Sequence, residues 1–276
     1  MDFTMPGSAR RTAKTKKLGQ NFLMSRDIAK AEAVHAEGKT VLEIGPGYGI
    51  LTEEMCKAAK GVVAVEKDKY LCRVLSGKPG LHNLKLINAD FLDVSDEEIG
   101  IGNIDILISN VPYNISSKVI GWIAEKRIQA VLCLQKEFVE HMLAKEDSES
   151  YSKLSVVSAL SFSITEIMNV GRRNFRPIPR VDSEIIYIKP KENAPGENER
   201  NTIGALMQHK KKTVRNAVMD SREGLGIGKD DARKLAAEIE ERDERVFKLS
   251  PERLLDLSER ILSFKRRMKA HEPRRV

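Results

Sequence analysis

Short apolar runs alternate with longer stretches of helical periodicity through the first half of the chain. Val41-Leu42-Glu43-Ile44 predicts a buried strand, Gly45-Pro46-Gly47-Tyr48-Gly49 a tight loop, residues 50–60 a helix, and Gly61-Val62-Val63-Ala64-Val65-Glu66 a second strand. The alternation continues with a helix over 68–75, strands over 84–88 and 104–108, a helix over 117–125, a strand over 130–134 and a helix over 136–144. Repeated βαβ units of this kind require a mostly parallel sheet covered on both faces. The period then changes. Residues 161–170 and 183–189 both predict strands, joined by the Pro-rich stretch 171–179, so the sheet is expected to end in an antiparallel pair.

Pro190–Arg200 is polar and carries two prolines and a glycine, which marks a linker. Beyond it the sequence is helical in character, with Ser250-Pro251-Glu252 as a helix start. The expected organisation is a basic arm over 1–30 that begins the ligand pocket, an α/β body over 31–190, a linker over 191–200 and a small α-helical domain over 201–276.

Charge sharpens this division. Residues 1–30 hold 7 Lys/Arg against 2 acids, residues 201–276 hold 19 against 13, and residues 31–200 hold 21 against 25. Basic ends around a mildly acidic body suit an anionic polymer held from two sides, although Lys-rich termini also serve solubility alone. Cysteines 56, 72 and 133 are odd in number, widely spaced and set in apolar segments, so they read as core residues. The five histidines show no ligand spacing, and no metal is expected. No apolar run reaches the roughly 20 residues that span a bilayer. The N-terminus lacks the apolar region of a signal peptide, which places the protein in the cytoplasm.

The candidate chemistry lies at successive strand ends. The glycines at 45, 47 and 49 are spaced GxGxG and not GxGxxG, and they allow a sharp turn and close approach to a ligand. Glu66, 21 residues past Gly45, is placed to accept hydrogen bonds from ribose hydroxyls. Asp90 can accept an adenine amino group, with Phe91 beside the ring. No Walker-type Lys-Thr follows the glycines, and an uncharged linker needs no pyrophosphate cradle, so S-adenosylmethionine fits this outline better than a dinucleotide. Each feature alone is equally a turn or a helix cap; three together favour a ligand.

Ser109-Asn110-Val111-Pro112-Tyr113 follows the fourth apolar run. An exocyclic adenine amine is a poor nucleophile because its lone pair is delocalised into the ring. The Asn110 carboxamide oxygen can accept one N6–H and a carbonyl held by Pro112, that of Val111, can accept the other, which frees the lone pair. Tyr113 offers a face for the base to stack on. Catalysis of this kind is positioning and electrostatics, and the base must leave any stacked helix to reach it.

The words Leu18-Gly19-Gln20-Asn21-Phe22-Leu23, Glu43 to Thr52, Val65-Glu66-Lys67-Asp68, Asn110 to Ser116, Gln135-Lys136-Glu137, Lys153 to Val156 and Phe175 to Ser183 resemble, in order, the small-subunit (16S-type) ribosomal RNA adenine N6,N6-dimethyltransferases. That resemblance implies a Rossmann-like S-adenosylmethionine-dependent methyltransferase sheet with a C-terminal helical RNA-binding domain. It implies a cofactor pocket of Asn21, Leu23, Gly45, Glu66, Asp90 and Asn110, to which Gln20, Gly47, Lys67 and Phe91 are added. It also implies that Tyr113 and Phe175 sandwich the target base, and that a helix bearing Lys210, Lys211, Lys212 and Arg215 contacts RNA. The implied target is two adjacent adenines in a 3′-terminal hairpin loop of small-subunit rRNA, within a pre-ribosomal particle, and a monomer is expected. Ser152-Lys153 departs from the commoner Gly-Arg, and the pattern is compatible with an archaeal-like member. The alternatives are a large-subunit rRNA adenine methylase of the resistance type and a non-catalytic RNA-binding assembly factor. A small-molecule N-methyltransferase is disfavoured by the basic ends.

Overall fold

The β-rich half of the chain is organised around central strands whose residues are buried on both faces, as their near-continuous apolar runs require. The computed structural model describes residues 21–271; Gln20 and the greater part of the basic arm lie outside the described residues. The strands are β1 (Phe22–Leu23), β2 (Thr40–Ile44), β3 (Gly61–Val65), β4 (Leu84–Ile87), β5 (Ile106–Asn110), β6 (Gln129–Gln135), β7 (Phe162–Val170), β8 (Phe175–Arg176) and β9 (Ser183–Pro190). Seven of them form one sheet in the order β4-β3-β2-β5-β6-β9-β7. The first five neighbours in that order pair in parallel, and β9 turns antiparallel against β6, with Val131 opposite Tyr187 and Cys133 opposite Ile185. This is the Rossmann-like α/β sheet with an antiparallel end that the sequence predicts.

Local signals set the helices between the strands. Ser25 caps the helix Arg26–Ala33 by accepting from the Ile28 N–H, and Asp68 caps Lys69–Ser76 by accepting from the Tyr70 N–H at 2.8 Å. Gly49, at φ +81°, opens the helix Ile50–Cys56, which stops four residues short of the stretch predicted. β5 starts two residues later than its apolar run suggests. Asp105 is taken up in a clamp with the start of β2: its carboxylate accepts the Thr40 N–H at 2.8 Å and its own N–H donates to the Thr40 carbonyl at 2.9 Å. The shift carries Asn110 from the expected loop to the last position of the strand.

Two units separate within the described chain. One comprises residues up to 137 together with 164–189, and the other residues 138–163 together with those from 190 onwards. The sequence reading assigned 138–163 to the α/β body. In the structure the helix Lys153–Ser161 instead brings Val156 and Leu160, with the fully buried Tyr151 before it, into one cluster with Ile203, Leu206, Leu254, Leu257 and Ile261. The Tyr151 hydroxyl donates to the Leu249 carbonyl at 3.0 Å, which satisfies a polar group inside that core. The last four residues of the stretch expected as a linker are helical, because Glu197 already begins the helix Glu197–Met207. In the first unit, Leu23, Ile28, Val41, Leu51, Met55, Ile106, Val131 and Phe175 share the main apolar cluster. All three cysteines are free and buried. Among the described residues, no helix is long and apolar enough to cross a membrane.

Candidate active site

β2 and β5 lie side by side although β3 and β4 come between them in sequence. The sheet order reverses there, and such a reversal opens a crevice beyond the carboxyl ends of the strands. The cleft at that point encloses about 810 Å³ when the solvent in its open mouth is included.

The glycine loop forms one wall. Gly47 lies at φ +60°, and a Cβ there would sit 2.7 Å from a ring carbon of Phe22, so only glycine lets β1 close over the loop. Phe22 in turn packs edge-to-face on Tyr48, with ring centroids 4.8 Å apart. The Gly47 N–H donates to the Glu66 carboxylate at 3.1 Å, and the Asp68 N–H donates to its other oxygen at 2.8 Å. These two bonds fix Glu66 at the end of β3 with lone pairs left over, since a carboxylate offers about four acceptor sites. Burial raises the proton affinity of Glu66, and the backbone N–H groups oppose that rise.

Asp90 follows β4 and lines the same cleft. Its carboxylate accepts the Leu92 N–H at 3.1 Å and pairs with Lys67 at 2.5 Å. The Lys67 ammonium holds the Asp90 carboxyl below its ordinary range despite some burial. Phe91 is buried edge-on to Trp122, 5.2 Å between centroids, and contributes an apolar wall with Ile44 and Val65.

Asn110, Val111, Pro112 and Tyr113 complete the lining. Strand β5 is tied to the glycine loop by the Ser109 hydroxyl, which donates to the Ile44 carbonyl at 2.7 Å. Among the described residues, the buried Asn110 carboxamide oxygen has no hydrogen-bond partner, an arrangement native proteins keep for a reason. Tyr113 is fixed through its hydroxyl to Ser183 at 2.7 Å, and burial pushes that phenol up to about 12, so it stays neutral.

Of the residues singled out from sequence, Asn21, Gly45, Glu66, Lys67, Asp90, Phe91, Asn110, Val111, Pro112 and Tyr113 line this cleft, while Leu23 and Gly47 line the smaller recess that continues it beneath the glycine loop. Phe175 is not brought to the cleft. It is 2 % exposed, because β8 pairs antiparallel with β1, Phe175 opposite Leu23, and its ring joins the core. The segment expected as an RNA-contacting helix is mostly a turn. The helix Glu197–Met207 ends before it, Lys210 donates to the carbonyls of Glu149 and Tyr151, and the next helix starts at Val214. Lys212 and Arg215 pair with Asp220 and Asp243, and Lys211 is exposed. Exposed pairs of that kind are weak and readily exchanged for a phosphate.

Sequence reading passed over Phe22 and Glu32. Phe22 was visible as the alternate residue of a strand between Asn21 and Leu23. Glu32 was visible as a carboxylate on the face of the helix Arg26–Ala33 that also holds Ile28, Ala29 and Ala33. It is completely buried, as nearly is Glu43, whose carboxyl accepts the Thr52 hydroxyl at 2.7 Å. Burial first, and then the charge of Glu43, push the Glu32 carboxyl up to about 8; burial first, opposed by the Thr52 hydrogen bond and reinforced by Glu66, likewise takes Glu43 to about 8.

These shifts have a consequence for stability. Both groups bind a proton more tightly folded than unfolded, so each contribution is complete below the ordinary carboxyl value of 4.5 and is lost as pH rises towards about 8. Urea midpoints are expected to fall between pH 5 and pH 8.5, by roughly a few kcal/mol in unfolding free energy. Glu43→Gln, which keeps an acceptor for Thr52, is expected to flatten that fall; an unchanged slope in the variant would remove Glu43 as its source.

Three comparisons with known proteins bear on the site. The family model for ribosomal RNA adenine dimethylase matches residues 11–261. A protein of Thermococcus sibiricus named "Probable ribosomal RNA small subunit methyltransferase A" is 36% identical over 250 residues, covering 88% of this chain and 90% of the relative. A Methanopyrus kandleri protein of the same name is 37% identical over 262 residues, covering 90% and 92%. Among solved structures, a dimethyladenosine transferase from Plasmodium falciparum superposes with a TM-score of 0.71 at 25% identity, covering 90% of this chain and 98% of that one. The 23S rRNA methyltransferase ErmE shares the fold, with a TM-score of 0.58 at 24% identity over 87% of this chain and 99% of that one.

Proposed function

We infer the use of this cleft from one premise: the chain belongs to the ribosomal RNA adenine dimethylase family. It is an S-adenosylmethionine-dependent adenine dimethyltransferase acting on small-subunit rRNA. The target we propose is a pair of adjacent adenines in the 3′-terminal hairpin loop, modified within a pre-ribosomal small subunit. The observation that carries the reading is the buried carboxamide oxygen of Asn110 at the end of β5, one strand from the glycine loop and without a hydrogen-bond partner among the described residues.

The residues present fit the cofactor. Glu66 and Asp90 put carboxylates at the ends of adjacent strands for ribose hydroxyls and an adenine amine, and Ile44, Val65 and Phe91 supply apolar walls. When bound, the cofactor supplies a methyl group already activated on a sulfonium. Asp90 enters this role carrying its pair with Lys67, so the lysine neutralises the carboxylate beside the cofactor base and keeps it ionised.

The chain's own residues prepare the nucleophile. Asn110 accepts one N6–H of the target adenine through its carboxamide oxygen, and the Val111 carbonyl accepts the other. The nitrogen lone pair is thereby turned out of conjugation, and the same oxygens stabilise the positive charge that develops on N6 until it sheds its proton. Tyr113, neutral and held by Ser183, provides the stacking face. Lys210, Lys211, Lys212 and Arg215 are proposed to meet rRNA phosphates, a contact that makes binding fall steeply with salt.

The test is transfer of labelled methyl from S-adenosylmethionine to small ribosomal subunits lacking the modification, followed by nucleoside analysis of the rRNA. Dimethyladenosine confined to the 3′-terminal hairpin is the expected result. Label found in large-subunit rRNA, or no label with the cofactor still bound, would overturn the assignment in favour of a resistance-type methylase or an assembly factor.

A further inference from the structure

The segment between β7 and β9, residues 171–182, holds four arginines, at 172, 173, 176 and 180, against one acid, Asp182. All four arginines are exposed. Elsewhere in the chain guanidinium groups meet carboxylates, as those of Arg26, Arg215, Arg253 and Arg260 do. Here, among the described residues, none does, and the Asp182 carboxylate is taken by the Arg172 backbone N–H at 2.8 Å. Arg172 and Arg176 instead brace the segment from within. The Arg172 side chain donates to the Arg180 carbonyl at 3.1 Å, and that of Arg176 to the carbonyls of Arg173 and Phe175 at 3.0 and 2.9 Å. Each brace engages a single terminal nitrogen, so donors remain on both groups. The side chains of Arg173 and Arg180 make no hydrogen bond among the described residues.

The segment is anchored beside the cleft at two points. β8 pairs with β1, which sets Arg176 opposite Phe22, a residue of the cleft wall. At the far end, the Ser183 hydroxyl meets the hydroxyl of Tyr113, another wall residue, at 2.7 Å. Between these anchors Ile178 is 53 % exposed and flanked by Pro177 and Pro179. Like charges gathered on one braced backbone repel each other until an anion joins them, whereas solubility is served by charges spread over the surface. Guanidinium groups match phosphate oxygens through planar, bidentate hydrogen bonds, and an apolar tip among them matches the face of a base. An unpaired strand of nucleotides offers both; an acidic peptide offers carboxylates without the flat apolar face. Drawing an adenine out of its stack costs free energy, and contacts to the same strand at the mouth of the cleft offset it.

We propose that residues 172–180 grip the single-stranded RNA that carries the target adenine: Arg173 and Arg180 take its phosphates, and Ile178 packs on an unstacked base beside the target. Arg172 and Arg176 keep the segment in shape for that contact. The inference rests on the reading of the cleft given above and adds a second RNA contact, within the α/β unit, to the one proposed for residues 210–215.

The experiment compares wild type with two double variants, Arg173→Gln with Arg180→Gln and Arg173→Lys with Arg180→Lys. Binding to unmodified small subunits is measured over a salt series, with hydroxyl-radical probing of the bound rRNA, and S-adenosylmethionine Kd and urea midpoint are taken on the same preparations. The Gln variant is expected to bind about tenfold or more weakly, with a log–log salt slope shallower by about 1.4, from roughly 0.7 per single-strand phosphate. It is also expected to lose protection of the riboses flanking the methylated adenine. Cofactor Kd and urea midpoint are expected to stay at wild-type values, because neither side chain is hydrogen-bonded among the described residues. The Lys variant keeps the charge and is expected to restore the slope. Ile178→Ser is expected to weaken binding by about threefold to tenfold with the slope unchanged, since it removes apolar contact and no charge. A wild-type slope in the Gln variant, a slope equally lost with lysine, or flanking protection that survives the Gln change overturns the phosphate contact; Ile178→Ser that binds like wild type overturns the base contact. Wild type that transfers no methyl to small-subunit rRNA marks failure of the underlying reading; active wild type whose Gln variant binds equally well marks failure of this inference alone.

Discussion

Asn110→Ala is expected to lower methyl transfer by about two to three orders of magnitude while changing cofactor affinity far less, the magnitude seen when one preorganised polar group is removed from a developing charge. The reason is geometric. Asn110 is the last residue of β5, its strand is tied to the glycine loop through Ser109, and among the described residues its carboxamide oxygen has no partner. The backbone at Asn110 is therefore held in place before substrate arrives, and alanine brings no carboxamide to that position. Single-turnover transfer from labelled S-adenosylmethionine, alongside equilibrium binding of the cofactor, separates the two effects. Turnover within about threefold of wild type would end the assigned role. Asn110→Asp is the informative companion, because it keeps an acceptor oxygen but discards the NH2 group.

Glu66→Ala is expected to weaken cofactor binding by about a hundredfold or more. Hydrogen bonds to a charged acceptor are worth roughly 1.5–3 kcal/mol each, and two ribose hydroxyls compete for this one carboxylate. The loss has a second component. Glu66 also receives the N–H groups of Gly47 and Asp68, so removing it unpins the glycine loop and the start of the helix Lys69–Ser76 together. Glu66→Gln, neutral but still an acceptor, is expected to fall between the two. Calorimetric titration with S-adenosylmethionine measures affinity, and the urea midpoint shows whether the sheet is intact. An alanine variant that binds like wild type would move the ribose site elsewhere in the cleft.

The sheet was largely legible from the sequence because its strands are short, apolar and separated by strong turn residues. The GxGxG loop, Glu66, Asp90 and Asn110 could be placed on strand ends from spacing alone, since a parallel sheet aligns those ends by its own topology. What the sequence did not disclose depends on long-range partners. The two-residue offset of β5 is imposed by the clamp between Asp105 and Thr40, 65 positions away. Residues 138–163 were assigned by proximity in sequence to the body, whereas Tyr151 and Leu160 find their apolar partners beyond residue 200. Phe175 was expected at the target base, yet its pairing with Leu23 draws it inward. Glu32 is the reverse case: helix periodicity puts it on the buried face with Ile28, Ala29 and Ala33, and the raised proton affinity that burial and Glu43 give it depends on a strand that the helix pattern does not show.

The bond from the Ser109 hydroxyl to the Ile44 carbonyl joins two adjacent strands, one leading into the glycine loop and one ending in Asn110. Neighbouring strands stand about 4.8 Å apart wherever they pair. On the proposed use of the cleft, the sheet acts as a ruler between the wall for the methyl donor and the residue that would orient the methyl acceptor, an interval set by the strands and not by how any RNA is gripped elsewhere. Lineages descended from one such ancestor are free to exchange their nucleic-acid targets by altering surface loops and appended helices, with the reaction itself carried along unaltered.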